Sequence, residues 1–375
     1  MNRMKTLTLA CAAAALAVSS MSAQARDFRL GLITPAQHLW STEAEAFAQT
    51  LNERSGGEHS VSVFPAQQLG NEAQMVQQLQ TGALDMAFLT IAEISNRIPD
   101  FGALYAPYLV DDVNHAARLL RSDAAGELLD LMPEGVGFVG VGYGMVGMRQ
   151  VLSRSPIESA DDLQGQRLRI TPFEPIRDFY TATGAAPAPM PLLEVYDALA
   201  NGQVDAIDMD FDSILILKFY EQANNLLISN HMMFPMVGVV SGRVWRELSE
   251  EDRELIDTAM AEHLENVLSG FEEMDAAQEE EIRALDINIV EADAEFFSEA
   301  IAEWERIWAP KAPMLETLRE AEADLLARHP SIQTVPYNGL AESLSQSLYL
   351  NSDGALRQME RTQASLYLYA RAEES

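Results

Sequence analysis

Cysteine is all but missing. The single one, Cys11, lies in an N-terminal stretch that reads as a removable export signal. A mature chain without it has no disulfide, no thiol nucleophile and no cysteine metal site. Lysine is nearly absent too: Lys5, Lys218 and Lys311 are the only three among 25 basic residues, which face 57 acids for a formal charge of −32. Phosphate binding needs a basic surface, so nucleic acid is excluded as a partner. An acid-rich, lysine-poor surface suits high salt, where screening relieves self-repulsion; the reading is a salt-adapted Gram-negative source, and an ordinary acidic protein is the plain alternative. No later segment has the roughly 20 apolar residues of a transmembrane helix, so no direct membrane insertion is expected. Gly-x-Ser-x-Gly elbows and His-Glu-x-x-His helices are absent as well, which weighs against an exported hydrolase. Nothing implies a cofactor.

The N-terminus has the layout of a signal peptide. Arg3 and Lys5 are its basic region, Leu7 to Val18 its apolar stretch, and Ala23-Gln24-Ala25 its small-x-small cleavage site. The mature chain then starts near Arg26 and is periplasmic. A lipid anchor on Cys11 fits less well, because Thr8 stands where a lipobox carries leucine.

Beyond that point strands and helices alternate, which argues for an α/β protein with parallel strands. Strands are expected at 28–33, 59–64, 84–89, 136–143, 167–171, 204–209 and 234–241, and helices at 42–54, 71–81, 174–183 and 192–201. Ser249-Glu250-Glu251-Asp252 reads as a capping box opening a long helical region over about 250–283, and 296–327 reads as helical as well.

Arg169 is the most informative residue. It sits between Leu168 and Ile170 in a short apolar strand of a strongly acidic chain. A guanidinium there is held for something anionic, and its planar fork matches a carboxylate. A structural salt bridge with a nearby acid is the bland reading.

The surrounding motifs are Gly147-Met148-Arg149-Gln150, Leu163-Gln164-Gly165-Gln166-Arg167-Leu168-Arg169-Ile170, Gly184-Ala185-Ala186-Pro187-Ala188-Pro189-Met190-Pro191 and Gly202-Gln203-Val204-Asp205. Earlier stand Phe64-Pro65-Ala66-Gln67-Gln68-Leu69-Gly70 and Leu79-Gln80-Thr81-Gly82-Ala83-Leu84-Asp85. Together they resemble the solute-binding proteins of tripartite ATP-independent periplasmic (TRAP) transporters, the DctP-like family, across residues 28 to about 328. The resemblance implies a two-lobe periplasmic binding protein fold, with a ligand cleft between the lobes and long connecting helices. Lobe I would span 26–146 plus 235–274, and lobe II 147–234 plus 275–330. Residues 331–375 have no counterpart, although Leu348, Leu350, Leu366 and Leu368 suggest packing.

By the same resemblance, the chain is not an enzyme. It captures a small organic acid and passes it to membrane permease subunits; a sensor docking on a receptor is the alternative. Arg169 occupies the position that grips the ligand carboxylate, and Arg149 the position of a second anion-binding arginine. Many relatives have Glu-Asn-Pro where Asp208-Met209-Asp210 stands here, so Met209 favours a less hydroxylated ligand. Asp208 keeps the acidic character of that glutamate and is a candidate ligand-binding residue; some family members bridge the ligand through a cation there, but an ordinary surface carboxylate is the favoured reading over a metal site and no metal is expected. Asp208, Asp210 and Asp212 also have calcium-loop spacing, but Ser213 and Phe219 replace the required glycine and glutamate, and an EF-hand is rejected. Thr34, His38 and Trp40 follow the first strand, Thr90 follows the third and Glu72 follows Leu69-Gly70, where open α/β sheets place ligands. Phe173 follows the Arg169 strand and is expected to wall the ligand. His231 reads as structural.

Overall fold

The computed structural model describes residues 25–328. The export signal, and Leu348, Leu350, Leu366 and Leu368 of the tail, lie outside the described residues. Described residues up to Glu322 form one compact unit, whose architecture follows.

The chain builds two sheets and passes between them more than once. It begins with β1 (Arg26–Gly31), β2 (His59–Phe64), β3 (Met86–Thr90) and the long β4 (Phe138–Met148). It then crosses into a second sheet through β5 (Gln150–Ser153), β6 (Arg167–Ile170), β7 (Ala186–Pro189), β8 (Ala206–Met209) and β9 (Asn225–Ile228). It returns as β10 (Met233–Ser241) and visits the second sheet once more as β11 (Asn288–Glu291). The orders are β2-β1-β3-β10-β4 and β11-β9-β5-β8-β6-β7.

These sheets are mixed, where alternating strands and helices suggested parallel pairing. The antiparallel pairs involve β10, against β3 and β4, and β5, against β8 and β9, whereas β11 lies parallel to β9.

Local signals fix the helices beside the cleft. Helix α1 (Leu39–Arg54) is capped by the His38 side chain, and α2 (Glu72–Thr81) by Asn71 in a capping box closed by Gln74. Helix α3 (Glu174–Ala182) starts with proline in its first turn, and α4 (Phe211–Ile216) is capped by Asp210. The 34-residue α5 (Glu250–Arg283) has Ser249 accepting the Asp252 amide. It packs on α1 and β4 of the first sheet's lobe and on α4 beside the second. The helical region expected over 296–327 consists of two helices, α6 (Ser298–Trp308) and α7 (Met314–Arg328). Pro310 and Pro313 interrupt it, since proline cannot donate the helical hydrogen bond. The helix expected over 192–201 opens instead with a 3-10 turn, Leu192–Glu194, ahead of Val195–Ala200.

Hydrophobic burial anchors both lobes. Every residue of β3 and of β10 is buried. Trp304 donates its indole N–H to the Pro175 carbonyl at 3.0 Å, and Trp308 donates to Asp178 at 3.1 Å, which fastens α6 to α3.

Candidate functional site

A cavity of about 180 Å³ opens where the two sheets face each other. It lies beyond the carboxyl ends of β1 and β3 on one side and of β6 and β8 on the other, the expected ligand position in open α/β sheets. Most of its wall is carbon, from Ile33, Val146, Pro172, Leu192, Met209 and Phe234. A few polar groups stand out against that wall, the usual composition of a small-molecule site.

The first sheet's lobe supplies Thr34, His38, Trp40, Glu72 and Thr90, all five expected there, and Gln67, Asn71 and Glu93, which were not. Gln67 belongs to a turn in which Ala66 and Gln67 both have positive φ, +52° and +58°. Backbone bonds from Ala66 N to Thr34 O (2.8 Å) and from Gln67 N to Leu32 O (3.2 Å) hold this turn against the end of β1. Such conformations are costly outside glycine, so the surrounding structure holds Gln67 at the cavity. Glu72 accepts hydrogen bonds from the Thr90 amide and hydroxyl. Burial pushes its carboxyl up to about 7 against those bonds. His38 accepts the Trp40 amide at its Nδ1, and burial pushes it down to about 3, so it is neutral.

The second sheet's lobe supplies both arginines. Arg169 is 2% exposed, and its Nε and Nη2 donate to the Met190 carbonyl at 3.1 and 2.9 Å. Among the described residues it has no carboxylate within ion-pair distance. Burial, then the like charge of Arg149, pushes its pKa down to about 9. This is a buried cation whose only hydrogen-bond partner among the described residues is one neutral carbonyl, beside a cavity. Burying an ion without a counter-charge is expensive, and an anion in the cavity relieves that cost.

Arg149 is equally buried but already matched. The register of β5 on β8 pairs Gln150 with Met209, and one residue further it sets Arg149 against Asp210. Arg149 binds the carboxylates of Asp208 and Asp210, the second at 3.0 Å, and stacks 4.2 Å from the Phe234 ring centroid.

Two expected site residues lie elsewhere. Asp208 is fully buried behind the wall, with Oδ1 accepting from Arg149 and Oδ2 from Tyr180 at 2.8 Å, with His231 Nε2 3.0 Å away. Burial raises its pKa, but the charge of Arg149 and the His231 and Tyr180 bonds outweigh that and hold it below the ordinary value. It is not a surface carboxylate and is not among the residues lining the cavity, and its oxygens are taken up by protein donors. Among the described residues no group of three or more metal-capable side chains occurs. Phe173 is also behind the wall, tilted against Tyr105 at 4.4 Å between ring centroids and beside Phe234 at 6.1 Å. Its ring supports the cavity lining from the core.

The model of bacterial extracellular solute-binding protein family 7 matches residues 30–312. The chain belongs to this family. Its relatives are solute-binding proteins of TRAP transporters, not enzymes. The sialic acid-binding periplasmic protein SiaP of Vibrio cholerae is 28% identical over 299 residues, which cover 79% of this chain and 90% of that one. The TRAP periplasmic solute-binding protein of Bradyrhizobium sp. BTAi1, solved with α/β-D-galacturonate, is 29% identical. It superposes with a TM-score of 0.74 over 79% of this chain and all of that one. The sugar acid binding protein DctPAm of Advenella mimigardefordensis, solved with galactonate, is 25% identical with a TM-score of 0.76, over 80% of this chain and 99% of that one. A second family model, the PmbA/TldA metallopeptidase central domain, matches residues 309–375, most of which lie outside the described residues.

Asp210 was legible only as one aspartate of a rejected metal loop. Its position at the end of a parallel strand was the better signal, the one that pointed to Thr90.

Proposed function

We propose that the chain is an exported, periplasmic receptor that captures a small organic carboxylate through Arg169 and delivers it to TRAP-type permease subunits. The observation that carries this reading is the buried Arg169 guanidinium, which has no carboxylate partner among the described residues and lines the cavity. A ligand carboxylate supplies the missing counter-charge and matches the fork of donors. Closure of the two lobes around it removes water and strengthens the pair. Glu72, Thr90, His38, Trp40, Met209 and the matched Arg149 shape the rest of the site. Similarity to the galacturonate- and galactonate-bound relatives makes six-carbon sugar acids the first class to test. Met209 in the carbon-rich wall favours the less hydroxylated members of that class.

Thermal unfolding of the refolded mature chain against a panel of organic acids tests the reading. A ligand at 100 times its Kd adds about 2.7 kcal/mol of stability. An upward shift confined to carboxylates is the expected result. Equal shifts with the corresponding neutral sugars contradict the carboxylate assignment.

A further inference from the structure

The charges around the cavity are unevenly spent, and the count limits what fits. Two cations line it, both from the second sheet's lobe. Arg149 is matched by two carboxylates, Asp208 and Asp210. Of these two, Arg169 is the one with no carboxylate within ion-pair distance among the described residues. The facing wall carries acids instead. Glu93 lines the cavity and is paired with Arg97 at 3.1 Å. Glu72 lines it with no ion-pair partner among the described residues, held only by Thr90.

We propose that the cavity admits one carboxylate and excludes a second, so that its ligand is a singly charged acid, with Glu72 as the residue that discriminates against dicarboxylates. The inference rests on Arg169 as the carboxylate clamp and adds a requirement on any second charge the ligand carries. A second carboxylate inside the cavity meets no unmatched cation. It meets Glu72 and Asp210, and a buried charge without a counter-charge is strongly disfavoured. A hydroxyl or amide in the same place donates to Glu72 or exchanges bonds with the Asn71 and Gln67 amides, which line the same wall. Burial leaves Glu72 about half ionised near pH 7, so discrimination sharpens as pH rises above that value.

Titration calorimetry on the refolded mature chain at pH 8 tests this with acids matched in skeleton and differing by one charge: D-galactonate against galactarate, and succinamate against succinate. The expected result is that the singly charged member of a binding pair is favoured by about a hundredfold or more, roughly two decades of Kd. Glu72→Gln keeps an acceptor for Thr90 and removes the charge, and is expected to narrow that ratio to below about tenfold. The wild-type ratio stands as a test even if the variant does not fold. A dicarboxylate bound as tightly as its partner overturns the inference, as does failure to bind either singly charged acid at millimolar concentration. Either result leaves the clamp intact if some carboxylate still binds in an Arg169-dependent way; binding that ignores the carboxylate altogether overturns the clamp itself.

Discussion

Arg169 and Asp208 show what a residue's neighbours in sequence do and do not reveal. Arg169 was legible through the motifs that carry the family resemblance, together with its place between Leu168 and Ile170 in a short apolar strand. Asp208 was not, because its partners Arg149, Tyr180 and His231 arrive from three other segments, and only the β5–β8 register brings the arginine across. Glu72 and Asp212 give a consequence that can be measured. Burial pushes both carboxyls up to about 7, helped for Asp212 by Asp210. A carboxyl raised in the folded state binds its proton more tightly there than in the unfolded chain. Its stabilising contribution is therefore complete below the ordinary range near 4.5 and is lost as pH rises through about 7. Thermal midpoints without added acid are expected to fall between pH 5 and pH 8, by on the order of 2 kcal/mol in stability. Glu72→Gln should flatten part of that slope, and a parent whose midpoint rises across the same range contradicts these assignments.

At the scale of elements, β2 and α5 lie where the sequence placed them, at His59–Phe64 and Glu250–Arg283. One alternates valine with polar residues, and the other begins at an explicit cap. β7 was missed because Ala186-Pro187-Ala188-Pro189 has two prolines, which forbid a central strand but are tolerated at an edge, and β7 is the edge of its sheet. The junction of α6 with the first lobe is a matter of shape rather than pattern. A Cβ at Gly102 would lie 2.4 Å from Trp308 Cζ3, in a ring stacked on Trp304 and bonded to Asp178. Gly102→Ala is expected to cost about 1–3 kcal/mol by overpacking, read as a lower urea midpoint with an unchanged slope. A midpoint equal to the parent's shows that the tryptophan pair can yield.

At the scale of the whole molecule, two lobes and a cleft were legible through the ordered motifs between Phe64 and Asp205. The mixed strand directions were not, because each crossing strand pairs with partners distant in sequence. The formal charge of −32 opposes compactness through self-repulsion, and molar salt shortens the screening length to about 3 Å. Exposed pairs such as Arg54–Glu262 contribute at most about 1 kcal/mol each to be lost. The thermal midpoint is thus expected to rise from 0.05 to 1 M NaCl (roughly a threefold or greater cut in screening length), and a fall contradicts net repulsion as the dominant long-range term. The most direct test of the central claim is calorimetric titration of the identified acid into the parent and into Arg169→Ala. If Arg169 is the clamp, the substitution weakens binding by about 2–5 kcal/mol, or roughly 30- to several-thousand-fold in Kd, while the thermal midpoint without added acid holds or rises as a buried unmatched charge is removed. A folded Arg169→Ala chain that binds the acid as tightly as the parent contradicts the claim.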